Sequence, residues 1–190
     1  VGEGVISAPD ATDATMDIYV VPFNNRQGGN ATPLAGASDP SAWEFYPVIW
    51  PDDALLAFNR TAPVTGGDSY DEPNAEVFVV PASGGTAVRL ESNDPAACTG
   101  KVSPGLTNSW PRWAPSAEEH AGKRYYWVIF SSKRRDPGHP QLYISGVVTT
   151  VSGGTETIER GYPALYVTSQ TADEANHTPA WDVFKVKPPS

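Results

Sequence analysis

The sequence predicts an all-β fold assembled from about three copies of a four-stranded antiparallel unit. Three observations carry this: dense turn residues, many aromatics, and one recurring pattern of apolar strands, glycine pairs and Pro-Trp segments. The 19 Pro and 17 Gly are more than a helical protein tolerates, because Pro removes a helix donor and Gly costs backbone entropy. Six Trp, eight Tyr and six Phe supply large, rigid side chains from which short strands can build a core. With 39% hydrophobic residues over 190 positions, a single compact region spanning 1–190 can bury enough apolar surface to fold.

Each copy begins with an apolar strand: Ile18 to Pro22, Val77 to Pro81, and Leu142 to Gly146. A glycine pair follows each time, Gly28-Gly29, Gly84-Gly85 and Gly153-Gly154, where positive φ costs little and a hairpin can turn. The second strands are Thr32-Pro33-Leu34, Ala87 to Leu90, and Glu156-Thr157-Ile158, each leading into a long polar loop. The loops end in Tyr46-Pro47-Val48-Ile49-Trp50, Trp110-Pro111-Arg112-Trp113 and Thr178-Pro179-Ala180-Trp181, 63 and 68 residues apart counted from Trp to Trp. In the first two copies a last apolar strand comes next, Leu55 to Asn59 and Tyr125 to Ser131. Imperfect alternation in the latter predicts an inner strand covered on both faces. No segment reads as a helix.

The repeat units therefore run over about 16–60, 75–131 and 140–184, and four antiparallel strands make up one β-propeller blade. A closed propeller needs about four to eight blades, so about three predict an incomplete ring. The chain is then a cleaved piece of a larger propeller or a subunit whose ring is completed by other protein chains. A small β-sandwich built from the same strands is the competing arrangement.

The segment Tyr46 to Asn59, YPVIWPDDALLAFN, resembles the Tyr-Pro-x-Trp-Ser-Pro-Asp-Gly-x-x-Ile-Ala-Phe repeat of TolB-type β-propellers, and Asn108 to Ser116 is similar to the first part of that motif. The similarity covers about residues 16 to 184 and suggests the C-terminal portion of such a protein. Two departures predict altered turns: Asp53 stands where the family has Gly, and Ser116 opens a longer insertion. A further insertion lies between Asn59 and Ala75. The resemblance is specific for fold and nearly silent on activity, since this propeller occurs in periplasmic scaffolds, beside hydrolase domains and beside cytochrome domains. It implies a periplasmic or extracellular location.

The formal charge of −9 excludes a nucleic-acid partner as the expectation, since phosphate backbones are met by clustered cations. The single basic cluster, Lys133-Arg134-Arg135, reads as a solvated loop. No stretch approaches the ~20 apolar residues of a membrane helix, so no membrane span is expected. The start Val1-Gly2-Glu3-Gly4, with neither an initiator Met nor a signal pattern, suggests a trimmed chain. Cys98 is the one cysteine; it is either a free thiol or paired with another chain.

Chemistry-bearing residues are sparse. Between Gly66 and Glu76 four carboxylates gather with Ser and Asn, and such an oxygen-rich loop suits a hard cation. Asp68, Asp71 and Asn74 are the candidate Ca²⁺ ligands, against the alternative of a solvated acidic loop, and the EF-hand pattern is absent. His120, His139 and His177 lack metal-ligand spacing. No Gly-x-Ser-x-Gly elbow marks a serine nucleophile, no paired carboxylates are identified for glycoside chemistry, and no Cys-x-x-Cys-His attaches a haem. Three sequons, at Asn30, Asn59 and Asn176, read as chance occurrences. Trp43, Phe45 and Tyr70 are candidates for a loop contact patch, although core packing claims most aromatics. The functional expectation is a non-enzymatic extracytoplasmic scaffold or protein-binding subunit. The alternatives are the accessory propeller of a larger hydrolase or haem-containing redox enzyme, and a calcium-dependent carbohydrate or surface binder.

Overall fold

The structure is a computed structural model, and it describes residues 16–63, 69–94, 107–153 and 155–181. These residues form an all-β fold in which every strand pairing is antiparallel. A two-stranded ribbon joins β1 (Tyr19–Val20) to β2 (Thr32–Pro33). A four-stranded meander follows, β3 (Trp43–Ile49), β4 (Leu55–Thr61), β5 (Glu76–Pro81) and β6 (Val88–Arg89), paired in chain order. The largest sheet holds β7 (Asn108–Trp113), β8 (Glu118–His120), β9 (Lys123–Ser132), β10 (Gln141–Ser152), β11 (Thr155–Gly161) and β12 (Leu165–Tyr166). Its main path runs β11-β10-β9-β7, with β8 added to β9 and β12 to β10. Glu91–Asn93 form one 3-10 turn, and none of the sheets closes on itself.

Each glycine pair lies between two paired strands, β1 and β2, β5 and β6, or β10 and β11. Gly28, Gly84, Gly85 and Gly153 all have positive φ there, as hairpin turns require. Asp53 also adopts the left-handed region, at φ +61°, so the turn keeps the backbone that glycine favours although its side chain differs. The insertion opened by Ser116 folds as a tight hairpin, β8 to β9, turning on Ala121 and Gly122 with φ of +50° and +75°.

The sheets stack face to face. Alternation along β4 sends Leu55 and Ala57 to one side and Leu56 and Phe58 to the other. The first pair packs with Val77, Val79 and Leu90 against Trp113, Tyr126, Val128, Phe130, Tyr143 and Val147 of the large sheet. The second pair packs with Val80 against Ile18, Leu34 and Ala37 beside the ribbon. The strand covered on both faces is thus β4, where every residue but Arg60 is buried. β9 differs from expectation: Tyr126, Val128 and Phe130 are fully buried, whereas Trp127, on the opposite face, is 38% exposed.

Hydrogen bonding divides the chain differently from the repeat units. The unit over 16–60 contributes β1 and β2 to the ribbon and β3 and β4 to the next sheet. The sheets instead begin at the Pro-Trp strands: β3 to β6, then β7 to β12. Both opening strands carry a β-bulge, between Phe45 and Val48 and between Ser109 and Arg112. In all three copies the residue before the Pro has positive φ: Tyr46 +52°, Trp110 +55° and Thr178 +60°.

One contact repeats with the bulge. The indole N–H of Trp113 donates to the carbonyl of Val48 at 3.0 Å, and that of Trp181 donates to the carbonyl of Arg112 at 3.1 Å. Val48 and Arg112 each follow the Pro of their own copy. The ladder pairs Val48 with Ala57 and Arg112 with Ile129, so Ile49, Trp113 and Trp181 are equivalent positions, and Trp50 lies one residue further on. Trp50 is buried beside Trp113 and Tyr126, with ring centroids 5.8 and 4.8 Å away.

Candidate functional site

β3 and β7 are edge strands of neighbouring sheets, and the side chains at their two bulges meet. Tyr46 and Trp110 stack with centroids 4.7 Å apart and an interplanar angle of 22°. Positive φ is uncommon for such bulky residues, and each costs of order 1–3 kcal/mol unless its surroundings enforce it. Asn59 supplies part of that enforcement: its Oδ1 accepts from the Trp110 backbone N–H at 3.1 Å, and its Nδ2 donates to the Asn108 carbonyl at 2.6 Å. Asn59 is fully buried, so the sequon it begins cannot receive a glycan in the folded chain. The guanidinium of Arg112 lies over the Trp110 ring, 5.7 Å from its centroid, and Nη1 donates to the carbonyl of Pro111 at 3.1 Å. Burial pushes the Arg112 pKa down from its ordinary value.

A second polar cluster runs between the sheets. The Asn93 side chain acts as an extra rung on β5, accepting from Val77 N–H at 2.7 Å and donating to Val77 O at 2.8 Å. Asn108 Nδ2 donates to Asn93 Oδ1 at 3.0 Å, and Arg134 Nη2 donates to Asn108 Oδ1 at 2.9 Å and to Ser92 O at 2.8 Å. Arg134 also lies over the rings of Tyr143 and Phe130, at 4.7 and 5.5 Å. Desolvation pushes its pKa down to about 10. Within the basic triplet, which does lie in a loop, only Arg134 departs from a solvated one by turning inward. Lys133 bonds the exposed Asp71, and the exposed Arg135 lies over Tyr166 at 4.6 Å.

Of the candidate calcium ligands, Asp68 lies outside the described residues, as does Cys98. The Asp71 carboxylate accepts the Lys133 ammonium, and Asn74 donates through its backbone N–H and Nδ2 to Glu72 Oε1 at 3.1 and 3.2 Å. Among the described residues no group of three His, Cys, Asp or Glu converges on a possible metal position. The histidines stay apart: His139 Nδ1 contacts Asp136 at 2.9 Å, His177 Nδ1 contacts Thr178 Oγ1 at 2.8 Å, and His120 is exposed on the β8–β9 hairpin. His177 also meets Tyr70 edge-on at 5.5 Å. Among the aromatics singled out from the loops, Phe45 is buried at 2% exposure, while Trp43 and Tyr70 are half-buried. No described helix is long and apolar enough to cross a membrane.

Glu44 is the most perturbed carboxyl. It is 1% exposed, its Oε1 accepts from Arg60 Nε at 2.9 Å, and its Oε2 is buried with no hydrogen-bond partner among the described residues. Burial pushes its pKa up to about 7, against the pull of Arg60, and the charge of Asp17 adds to the rise. A carboxyl buried this way makes stability depend on pH.

Sequence reasoning missed Arg112 and the Tyr46–Trp110 stack as a site. The Trp-Pro-Arg-Trp run was visible, but the bulge that turns its residues toward β3 depends on register with β9. No family model matches the chain, and no curated protein or solved structure matches it.

Proposed function

We propose that this chain is a non-enzymatic scaffold of propeller type that works outside the cytoplasm by holding other protein chains. The observation that carries the reading is the repeated indole-to-carbonyl contact, Trp113 to Val48 and Trp181 to Arg112. One geometric relation thereby links the two Pro-Trp strands and the Pro-Trp segment at Pro179, as rotation from blade to blade requires. The two-stranded ribbon supports it further, since two paired strands make up part of a four-stranded blade. Sheet edges left open in this way favour association with another chain. Acidity and the family-like repeat support an extracytoplasmic setting.

The test is the native mass of the purified chain by light scattering, with its components identified by denaturing mass spectrometry. An assembly of several chains, or of this chain with a second polypeptide, is the expected result. A stable, folded monomer of 20.3 kDa overturns the reading and favours a self-contained stack of sheets.

A further inference from the structure

Among the described residues Arg112 is a half-buried cation without an acid. The chain holds 22 Asp and Glu against 13 Lys and Arg, so carboxylates are in excess, and Arg60, Arg89 and Arg124 each pair with at least one. Among the described residues none lies within 4 Å of Arg112. Its one hydrogen bond goes to the carbonyl of the adjacent Pro111. Arg134 also lacks a carboxylate, but it is spent on Ser92, Asn108 and Ser132. Arg112 instead keeps most of its five N–H donors available.

We propose that Arg112, seated on the Tyr46–Trp110 stack where β3 meets β7, receives a carboxylate from an acidic segment of a partner polypeptide. The inference rests on the reading of this chain as a protein-binding module and names the chemistry of what it holds. The Trp110 ring, its centroid 5.7 Å from the guanidinium, attracts it as a cation–π partner and restrains it before binding, which lowers the ordering cost of the bidentate fork that carboxylates fit. Tyr, Trp and Arg are also the residues in which interface energy concentrates. A single guanidinium matches one carboxylate. The choice of a polypeptide follows from the reading of this chain as a protein-binding module, and the two bulges are what bring the side chains of Tyr46, Trp110 and Arg112 together.

The test uses the full, ¹⁵N-labelled chain, with the Arg112 Nε–H and Trp110 indole resonances assigned from the Arg112→Lys and Trp110→Phe spectra. A blocked peptide alternating Glu and Gly is titrated in, beside its Lys counterpart and sodium acetate at equal carboxylate concentration. The expected result is a saturable shift confined to Arg112, Trp110 and Tyr46. The Lys peptide should give none, acetate a weaker one, and Arg112→Lys should weaken binding by about tenfold because the planar fork is lost. Three outcomes overturn the proposal: no shift at millimolar peptide, an undiminished response in a folded Arg112→Lys, or shifts spread over the other arginines. An equal response to acetate overturns the commitment to a polypeptide. A monomeric native mass refutes the ring reading but leaves these shifts unchanged, so the two failures are distinguishable.

Discussion

Replacing Glu44 by Gln separates the charge of this buried carboxyl from its shape. In the folded chain the group holds its proton up to about pH 7, against an ordinary value of 4.5, while the unfolded chain releases it near the ordinary value. Between these two pH values the folded state binds more protons than the unfolded state, so stability falls as pH rises. Each unit of difference is worth 1.36 kcal/mol, giving roughly 3 kcal/mol across the window. Above pH 7 both states are ionised and the loss is complete; below 4.5 both are protonated and it is absent. Gln cannot ionise, so subtracting its stability from that of the wild type cancels every other titrating group. Urea unfolding of both proteins at half-unit steps from pH 4.5 to 8 should find this difference falling by about 3 kcal/mol toward high pH. A flat difference would refute the burial argument. A difference that rises with pH would mean that Arg60, 2.9 Å away, outweighs desolvation.

Asn93→Ala removes the side-chain rung on β5 and takes the acceptor from the buried Val77 N–H and Asn108 Nδ2, while Val77 O keeps the Leu90 N–H, at about 1–3 kcal/mol for each orphaned group. The melting temperature should fall by roughly 5–15 °C at about 2–4 °C per kcal/mol for a chain of this size. Gly36→Ala should cost at least about 2 kcal/mol in urea unfolding. Gly36 has φ +87°, and a Cβ there would come 2.2 Å from the carbonyl oxygen of Gly85. Trp113→Phe keeps an aromatic ring in the core but abandons the Val48 carbonyl, so urea unfolding should register a loss of about 1–3 kcal/mol. By contrast, Asp71→Asn at the exposed Lys133 pair should change stability by less than about 1 kcal/mol.

Hairpin positions were legible because their causes are local. Gly28, Gly84 and Gly153 do adopt the positive φ that a turn requires, and the flanking β-branched and aromatic runs do form strands. Sheet membership was not legible, since which strand bonds which is decided by contacts across the chain. The same limit explains the Trp alignment. Matching Trp50 to Trp113 counts side chains, whereas the ladder counts backbone pairs, and it places Ile49 opposite Leu56 where Trp113 stands opposite Val128. Trp50 instead fills the core around Tyr126.

Arg134 within the basic triplet departs from expectation for a related reason, and the departure bears on the candidate site. Three consecutive cations suggest solvent, and Arg135 is exposed, yet Arg134 turns inward. Arg134 meets acceptors on Ser92 and Asn108, residues 42 and 26 positions earlier, which no local pattern joins to it. Arg112, which the β7 bulge carries past Trp110, meets no comparable acceptors among the described residues. Desolvating a guanidinium without returning its hydrogen bonds costs free energy, and both arginines are held below their ordinary pKa by burial. At Arg134 the fold offsets that cost internally. At Arg112 the offset is left to something outside the described residues, which is why the two arginines are assigned different roles.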